Sequence, residues 1–314
     1  MRKFIIDTDT GSDDAAALIM ALSEPEIDVV GITTVGGNIS LENTTKNALQ
    51  TVEICKKDTP VYVGLGRPLV RELVTADNVH GNDGMGDQNL IHPTRKAEDK
   101  HAVDFILETV RANPDEIEIV ALGPATNIAL AIMKDRETMK KVKHIWSMGT
   151  SGFGAGNISP VAEFNVFVDA ESYSVMLESG IPVTVAGFDL CLGEAALTPE
   201  EIEEISCSEL GRYVALSNKT RLSFNEKLTG TPFVDMPDPV AMAVAIWPEI
   251  VKEEITAHCY CCTKETATYG QVIIYDFSKP FSVKYDIPET FTKVVKAIDP
   301  HLFKERFKKT LGVK

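Results

Sequence analysis

No apolar run in the 314 residues approaches the roughly 20 that a membrane-spanning helix needs. Cysteine is scarce. Cys55, Cys191 and Cys207 stand alone, and only Cys259, Cys261 and Cys262 cluster. That cluster lacks a second ligand pair at zinc-site spacing, so it is expected to pack a strand. Cations are outnumbered, 31 Lys and Arg against 46 Asp and Glu, for a net charge of −15. Phosphate backbones and anionic membranes need clustered cations, so neither nucleic acid nor a membrane is an expected partner. Flexible linkers and internal repeats are also missing, and residues 1–314 read as a single domain. The opening Met1–Ile6 runs straight into Asp7, too short an apolar stretch for a secretory signal. Reduced thiols in a cytoplasm are the expectation.

What is present is a 44% hydrophobic chain long enough to bury a large core. Short β-branched runs alternate with amphipathic segments: strands at Phe4–Ile6, Asp28–Thr33, Val61–Val63, Glu118–Leu122, His144–Met148 and Val183–Ala186. Helices are expected at Asp14–Leu22, Leu41–Cys55, His101–Ala112, from Asn127, and at Val168–Ser179. This order predicts an α/β fold, an open and mainly parallel Rossmann-like sheet flanked by helices. A helical insertion follows Thr198, and Ile255–Tyr275 reads as a late β-hairpin turning at Tyr269-Gly270. Loops at Thr75–Gln88 and Gly149–Pro160 follow strands and are placed to line a site. Gly152 to Gly156 lacks the spacing and prompt helix of a dinucleotide-binding turn.

The segment Asp7-Thr8-Asp9-Thr10-Gly11-Ser12-Asp13-Asp14 carries the most chemistry. Asp7 and Asp9 share one side of an extended chain, Gly11 permits a tight turn, and Asp13 and Asp14 open a helix. Two unit charges 4 Å apart repel by roughly 4 kcal/mol at an effective dielectric of 20, and a helix N-terminus offsets only about 0.3–1 kcal/mol each. A hard cation offsets far more, and oxygen donors without His or Cys suit Ca²⁺ or Mg²⁺. The bland alternative is one helix cap among solvated loop acids.

This segment resembles the N-terminal signature of the nucleoside hydrolases, the inosine-uridine-preferring ribohydrolases. Similar stretches follow in family order: Val35-Gly36-Gly37-Asn38, Ala121 to Asn127, Gly156 to Asn165, and Asp238-Pro239-Val240-Ala241. The resemblance implies hydrolysis of the N-glycosidic bond of ribonucleosides, giving ribose and free base for purine or pyrimidine salvage, by a homodimer or homotetramer. It implies a Ca²⁺ held by Asp9, Asp14, the Leu122 carbonyl and Asp238, with Asp9 as general base on the attacking water. Asp13, Asn38, Asn157, Glu163, Asn165 and Asp238 would clamp the ribose, and Asp7 would support them from behind. Glu163 and Asn165 sit among Val161, Phe164 and Val166, an odd place for polar groups without partners. Asn38 and Asn157 read equally as turn residues, and Asp238 alone as a helix cap.

One departure matters. Many relatives carry a His before the late Asp-Pro that protonates the leaving base, and Pro237 stands there in this chain. His80 is then expected beside the base as a catalytic and binding group, with Tyr213, Arg221 and Phe224 of the insertion as further candidates. Two other readings remain: a Mg²⁺ phosphatase using an aspartyl nucleophile, from Asp7-Thr8-Asp9-Thr10, and a non-catalytic ribose or nucleoside binder. The phosphatase reading needs a later acid pair, which the chain lacks.

Overall fold

The computed structural model describes residues 1–264, 267–276 and 289–313. Among the described residues, nine strands form one sheet: β1 (Arg2–Thr8), β2 (Ile27–Thr34), β3 (Val61–Val63), β4 (Ile117–Ala121), β5 (His144–Met148), β6 (Val183–Ala186), β7 (Val251–Cys261), β8 (Val272–Tyr275) and β9 (Thr292–Ile298). Their spatial order is β3-β2-β1-β4-β5-β6-β9-β7-β8. The first six strands and β9 run parallel, while β7 is antiparallel to both β9 and β8.

Alternation along β1 divides the core. Phe4 and Ile6 pack on one side with the Ser12–Ser23, Leu41–Ile54 and Pro237–Ile246 helices. Ile5 packs on the other with the Ala102–Ala112, Thr126–Lys134 and Ala170–Leu177 helices. Ser12–Ser23 is buried on every side from Ser12 to Leu22, because it lies between the sheet and neighbouring helices. Its small residues, Ala15, Ala16, Ala17 and Ala21, suit that close packing.

The structure refines three expectations. The late hairpin is present, pairing His258 with Tyr275 and Cys261 with Val272, with Gly270 at a positive φ of 77°. It is not free-standing, however. β9 inserts between β6 and β7, a crossover that no local turn signal announces. The helix expected over Val168–Ser179 is two, Phe164–Val168 and Ala170–Leu177, because Asp169, at a non-helical φ of −144° and ψ of 73°, breaks the first and caps the second through Ser172 N (3.1 Å). Cys259 and Cys261 are buried in the core on one face of β7, as their alternation suggested.

Candidate active site

The carboxyl ends of β1, β2, β4, β5 and β6 deliver their following residues to one end of the sheet. There a cavity of about 410 Å³ opens, lined by Asp13, Asn38, His80, Asn157, Glu163, Asn165, Arg221, Pro237 and Asp238. Both loops expected at the site contribute, through Thr75–His80 and Gly156–Ile158. The rest of the wall is largely apolar: Val79, Phe188, Leu192, Phe224, Leu228 and Phe233. A larger cavity around Arg2 and Trp146 lies at the opposite end of the strands and lacks this acid cluster.

Asp7 and Asp9 have different surroundings. Asp7 Oδ1 accepts hydrogen bonds from Thr33 Oγ1 (2.5 Å) and Asn127 Nδ2 (2.8 Å), tying β1 to its neighbours away from the cavity. Burial raises its pKa to about 6 against those bonds. Such a tethered Asp7 is not presented to a phosphate, which disfavours the aspartyl-nucleophile reading. Asp9 Oδ2 accepts from the Asn38 backbone N–H at 2.6 Å, while its Oδ1 is buried without a protein partner. Burial first, then the Asp14 charge, raises the Asp9 pKa well above the usual carboxylate value.

Carboxylate oxygens of Asp13, Asp14 and Asp238 lie within 4.8 Å of one another, all buried. Thr8 Oγ1 donates to Asp14 Oδ1 (2.6 Å), and Gly11 N and Asn38 Nδ2 donate to Oδ2 (2.9 and 3.0 Å). Asp238 sits inside the first turn of its helix, which starts at Pro237 with Met236 as N-cap, so the plain-cap reading of Asp238 fails. Burial followed by the Asp14 and Asp13 charges pushes its pKa well up, and burial lifts Asp13 to about 6 despite Arg221. Converging buried carboxylates with an orphaned neighbour are an arrangement that a divalent cation stabilises. This grouping differs from the implied ligand set. Asp13 joins it, Asp9 is not within it, and the Leu122 carbonyl accepts from Asn165 Nδ2 at 2.6 Å.

Glu163 and Asn165 both line the cavity and both have protein partners. Glu163 caps the Phe164–Val168 helix through Asn165 N (3.0 Å) and Val166 N (3.2 Å), and burial lifts its pKa to about 7. Their polar character among apolar neighbours therefore has a structural account beside any functional one. His80 is buried, with Nδ1 3.1 Å from Ser12 Oγ and Nε2 3.1 Å from Arg221 Nη2. Burial, then the Arg221 charge, drives its pKa well below 6.5. Phe224 lines the cavity as expected, but Tyr213 does not. It is core, with its hydroxyl 3.4 Å from Thr51 Oγ1.

Arg221 proves more deeply engaged than the sequence suggested. Nη2 donates to Asp13 Oδ1 (2.9 Å), and Nη1 donates to the carbonyl and Oδ2 of Asp235 (2.9 and 3.1 Å). Burial works against its charge, but Asp13 and Asp235 outweigh burial and hold the pKa above the ordinary arginine value. Asp235 and the apolar wall of Phe188, Leu192 and Phe233 were missed as site residues. The only local signal was Asp235's place three residues before Asp238.

Comparison with known proteins fits this geometry. A family model described as inosine-uridine preferring nucleoside hydrolase matches residues 4–305. The chain is 37% identical to uridine nucleosidase 1 of Arabidopsis thaliana, over 79% of this chain and 75% of that protein. It is 41% identical to a pyrimidine-specific ribonucleoside hydrolase of Escherichia coli, over 64% of each. A plant nucleoside hydrolase structure superposes with TM-score 0.92 at 31% identity, covering 100% of this chain and 99% of that one. A purine-preferring ribonucleoside hydrolase from Gardnerella vaginalis gives 0.89 at 29% identity, covering 99% and 98%. Together the fold and the acid pocket define a hydrolase of N-glycosyl compounds that acts on ribonucleosides. The chain belongs to the inosine-uridine preferring nucleoside hydrolase family.

Proposed function

We propose that the protein cleaves the N-glycosidic bond of ribonucleosides with Ca²⁺ in the acid pocket and Asp9 as the base on the attacking water. The observation that carries this reading is the buried, unpartnered Asp9 Oδ1 beside the converging oxygens of Asp13, Asp14 and Asp238. Asp14 and Asp238, with Asp9 and the Leu122 carbonyl, would hold the ion. When bound, Ca²⁺ neutralises these carboxylates and favours ionisation of a nearby water. Asn38 fixes Asp9 through Oδ2, leaving Oδ1 to accept the water's proton as oxygen attacks C1′.

Ribose hydroxyls donate to Asp13, Asp238 and Glu163 and pair with the amides of Asn38, Asn157 and Asn165. The same acids stabilise positive charge that builds on the sugar as the bond to the base stretches. The apolar wall takes the base, and His80 stands beside it as part of the binding surface. Assembly is as a homodimer or homotetramer in the cytoplasm.

A ribose-release screen with inosine, adenosine, guanosine, uridine and cytidine, with Ca²⁺ and with a chelator, tests this reading. Turnover of at least one nucleoside that is lost on chelation and restored by Ca²⁺ is expected. No ribose from any of them would overturn it.

A further inference from the structure

Pro237 cannot move a proton, and His80, the one titratable ring among the described residues that line the cavity, is already engaged. A guanidinium has donors and no acceptor, so Arg221 Nη2 must donate to His80 Nε2. On the other side of the ring, Nδ1 accepts from the Ser12 backbone N–H (3.2 Å) and lies 3.1 Å from Ser12 Oγ. Both nitrogens are engaged, and a proton on Nε2 would face the guanidinium directly. His80 therefore cannot hand a proton to the base while Arg221 stays in place.

Arg221 itself has one donor to spare. Both protons of Nη1 have partners on Asp235, and both of Nη2 have partners on Asp13 and His80. Nε is buried with no partner, on a side chain 5% exposed that lines the cavity. In a guanidinium the Nε–H lies beside Nη2, and the two partners of Nη2, Asp13 and His80, both line the cavity. An unpaired buried donor costs about 1–3 kcal/mol, which an acceptor arriving with the substrate removes.

We infer that Arg221 is a catalytic residue that stabilises the departing base as an anion, by donating Nε–H to the base acceptor next to the glycosidic nitrogen. Pyrimidines offer O2 there and purines N3, and the leaving anion spreads its charge onto that atom. This inference rests on the hydrolase reading above. The C1′–N bond breaks with its electron pair going to the base. Water oxygen bonds to C1′ and gives one proton to Asp9. The base anion, held by Arg221, takes a proton from solvent after cleavage and Asp9 returns its own to solvent, so the net change is nucleoside plus water to ribose plus base. The fixed guanidinium thus does by charge what an imidazole acid does by proton transfer.

The test compares leaving groups. Arg221→Ala and Arg221→Lys are assayed on uridine, inosine and 4-nitrophenyl riboside, whose nitrophenolate leaves without help. For Arg221→Ala, a loss in kcat of about 10²–10³-fold on the nucleosides is expected, the size seen on removing one anion-stabilising donor. The nitrophenyl substrate should lose only a few-fold, and that turnover also reports a folded site. Arg221→Lys should recover part of the nucleoside activity, and added ethylguanidinium should partly rescue Arg221→Ala. Equal losses on all three substrates would mean that Arg221 only positions Asp13, and overturn the inference. So would unchanged turnover of the nucleosides. If Arg221→Ala does not fold, Arg221→Lys and Asp235→Asn, which loosens one side of the guanidinium, must show the same selective loss in smaller degree or the inference falls. Failure of the parent reading is distinct: wild type would then release ribose from none of the three.

Discussion

Gly37 leaves its α-carbon bare against Asp9: a Cβ there would lie 2.1 Å from Asp9 Oδ2. Gly123 does the same on the other side, where a Cβ would meet Oδ1 at 2.6 Å. These contacts hold the carboxylate in one orientation. Gly37→Ala must push Asp9 aside, since neither atom is the tip of a long flexible chain. A fall in kcat of at least about tenfold is expected, with about 1–3 kcal/mol lost to overpacking. Steady-state kinetics and urea unfolding check the two effects separately.

Asp9→Asn preserves shape and removes the base. Turnover should fall by about 10²–10⁴-fold, with the far-ultraviolet circular dichroism spectrum unchanged. The loss should be the same on uridine and on 4-nitrophenyl riboside, because both need an activated water. A variant with near wild-type kcat would remove Asp9 from the role.

A cation that binds only the folded chain stabilises it, by about 2.7 kcal/mol at a concentration 100 times its Kd. Melting should therefore shift upward with Ca²⁺ and downward with a chelator. Asp14→Asn and Asp238→Ala should each abolish most of the shift. Calorimetric titration and thermal melts measure it, and an unchanged Tm in wild type would count against a bound ion.

At the far end of the sheet, Glu118 accepts hydrogen bonds from Arg2 Nε (2.9 Å), Trp146 Nε1 (2.8 Å) and Lys143 Nζ (3.1 Å). Burial opposes ionisation there, but these partners outweigh it and hold the carboxyl at about 2, below its ordinary 4.5. A folded pKa below the unfolded one adds stability that is complete above pH 4.5 and lost as the pH falls toward 2. Glu118→Gln should cost about 1–3 kcal/mol at pH 7, with the gap to wild type closing between those two values. Urea midpoints across acid pH would show it, and a gap independent of pH would contradict it.

Local pattern made much of this molecule legible. The β-branched runs and their spacing carried the parallel sheet through β6, because strand and helix periods are set by the chain's own geometry. The acid turn at Asp7–Asp14, the Asn38 turn and the late Asp238-Pro239 are contiguous motifs, and all but Asp7 reach the site or its immediate support. What the sequence could not show is pairing over long separations. Arg221 and Asp13 are 208 residues apart, yet their ion pair joins the insertion to the first helix.

Amino-acid order alone determined the fold class, the acid cluster and the loops that border it, because each rests on residues a few positions apart. Tertiary structure alone decided that β9 enters between β6 and β7, that Tyr213 turns into the core, and that Asp13 joins Asp14 and Asp238. It also decided that His80 meets a guanidinium instead of an open pocket. The physical reason is the same in each case. Burial and charge pairing depend on which distant surfaces the packed core brings together, and no periodicity within a segment encodes its neighbour.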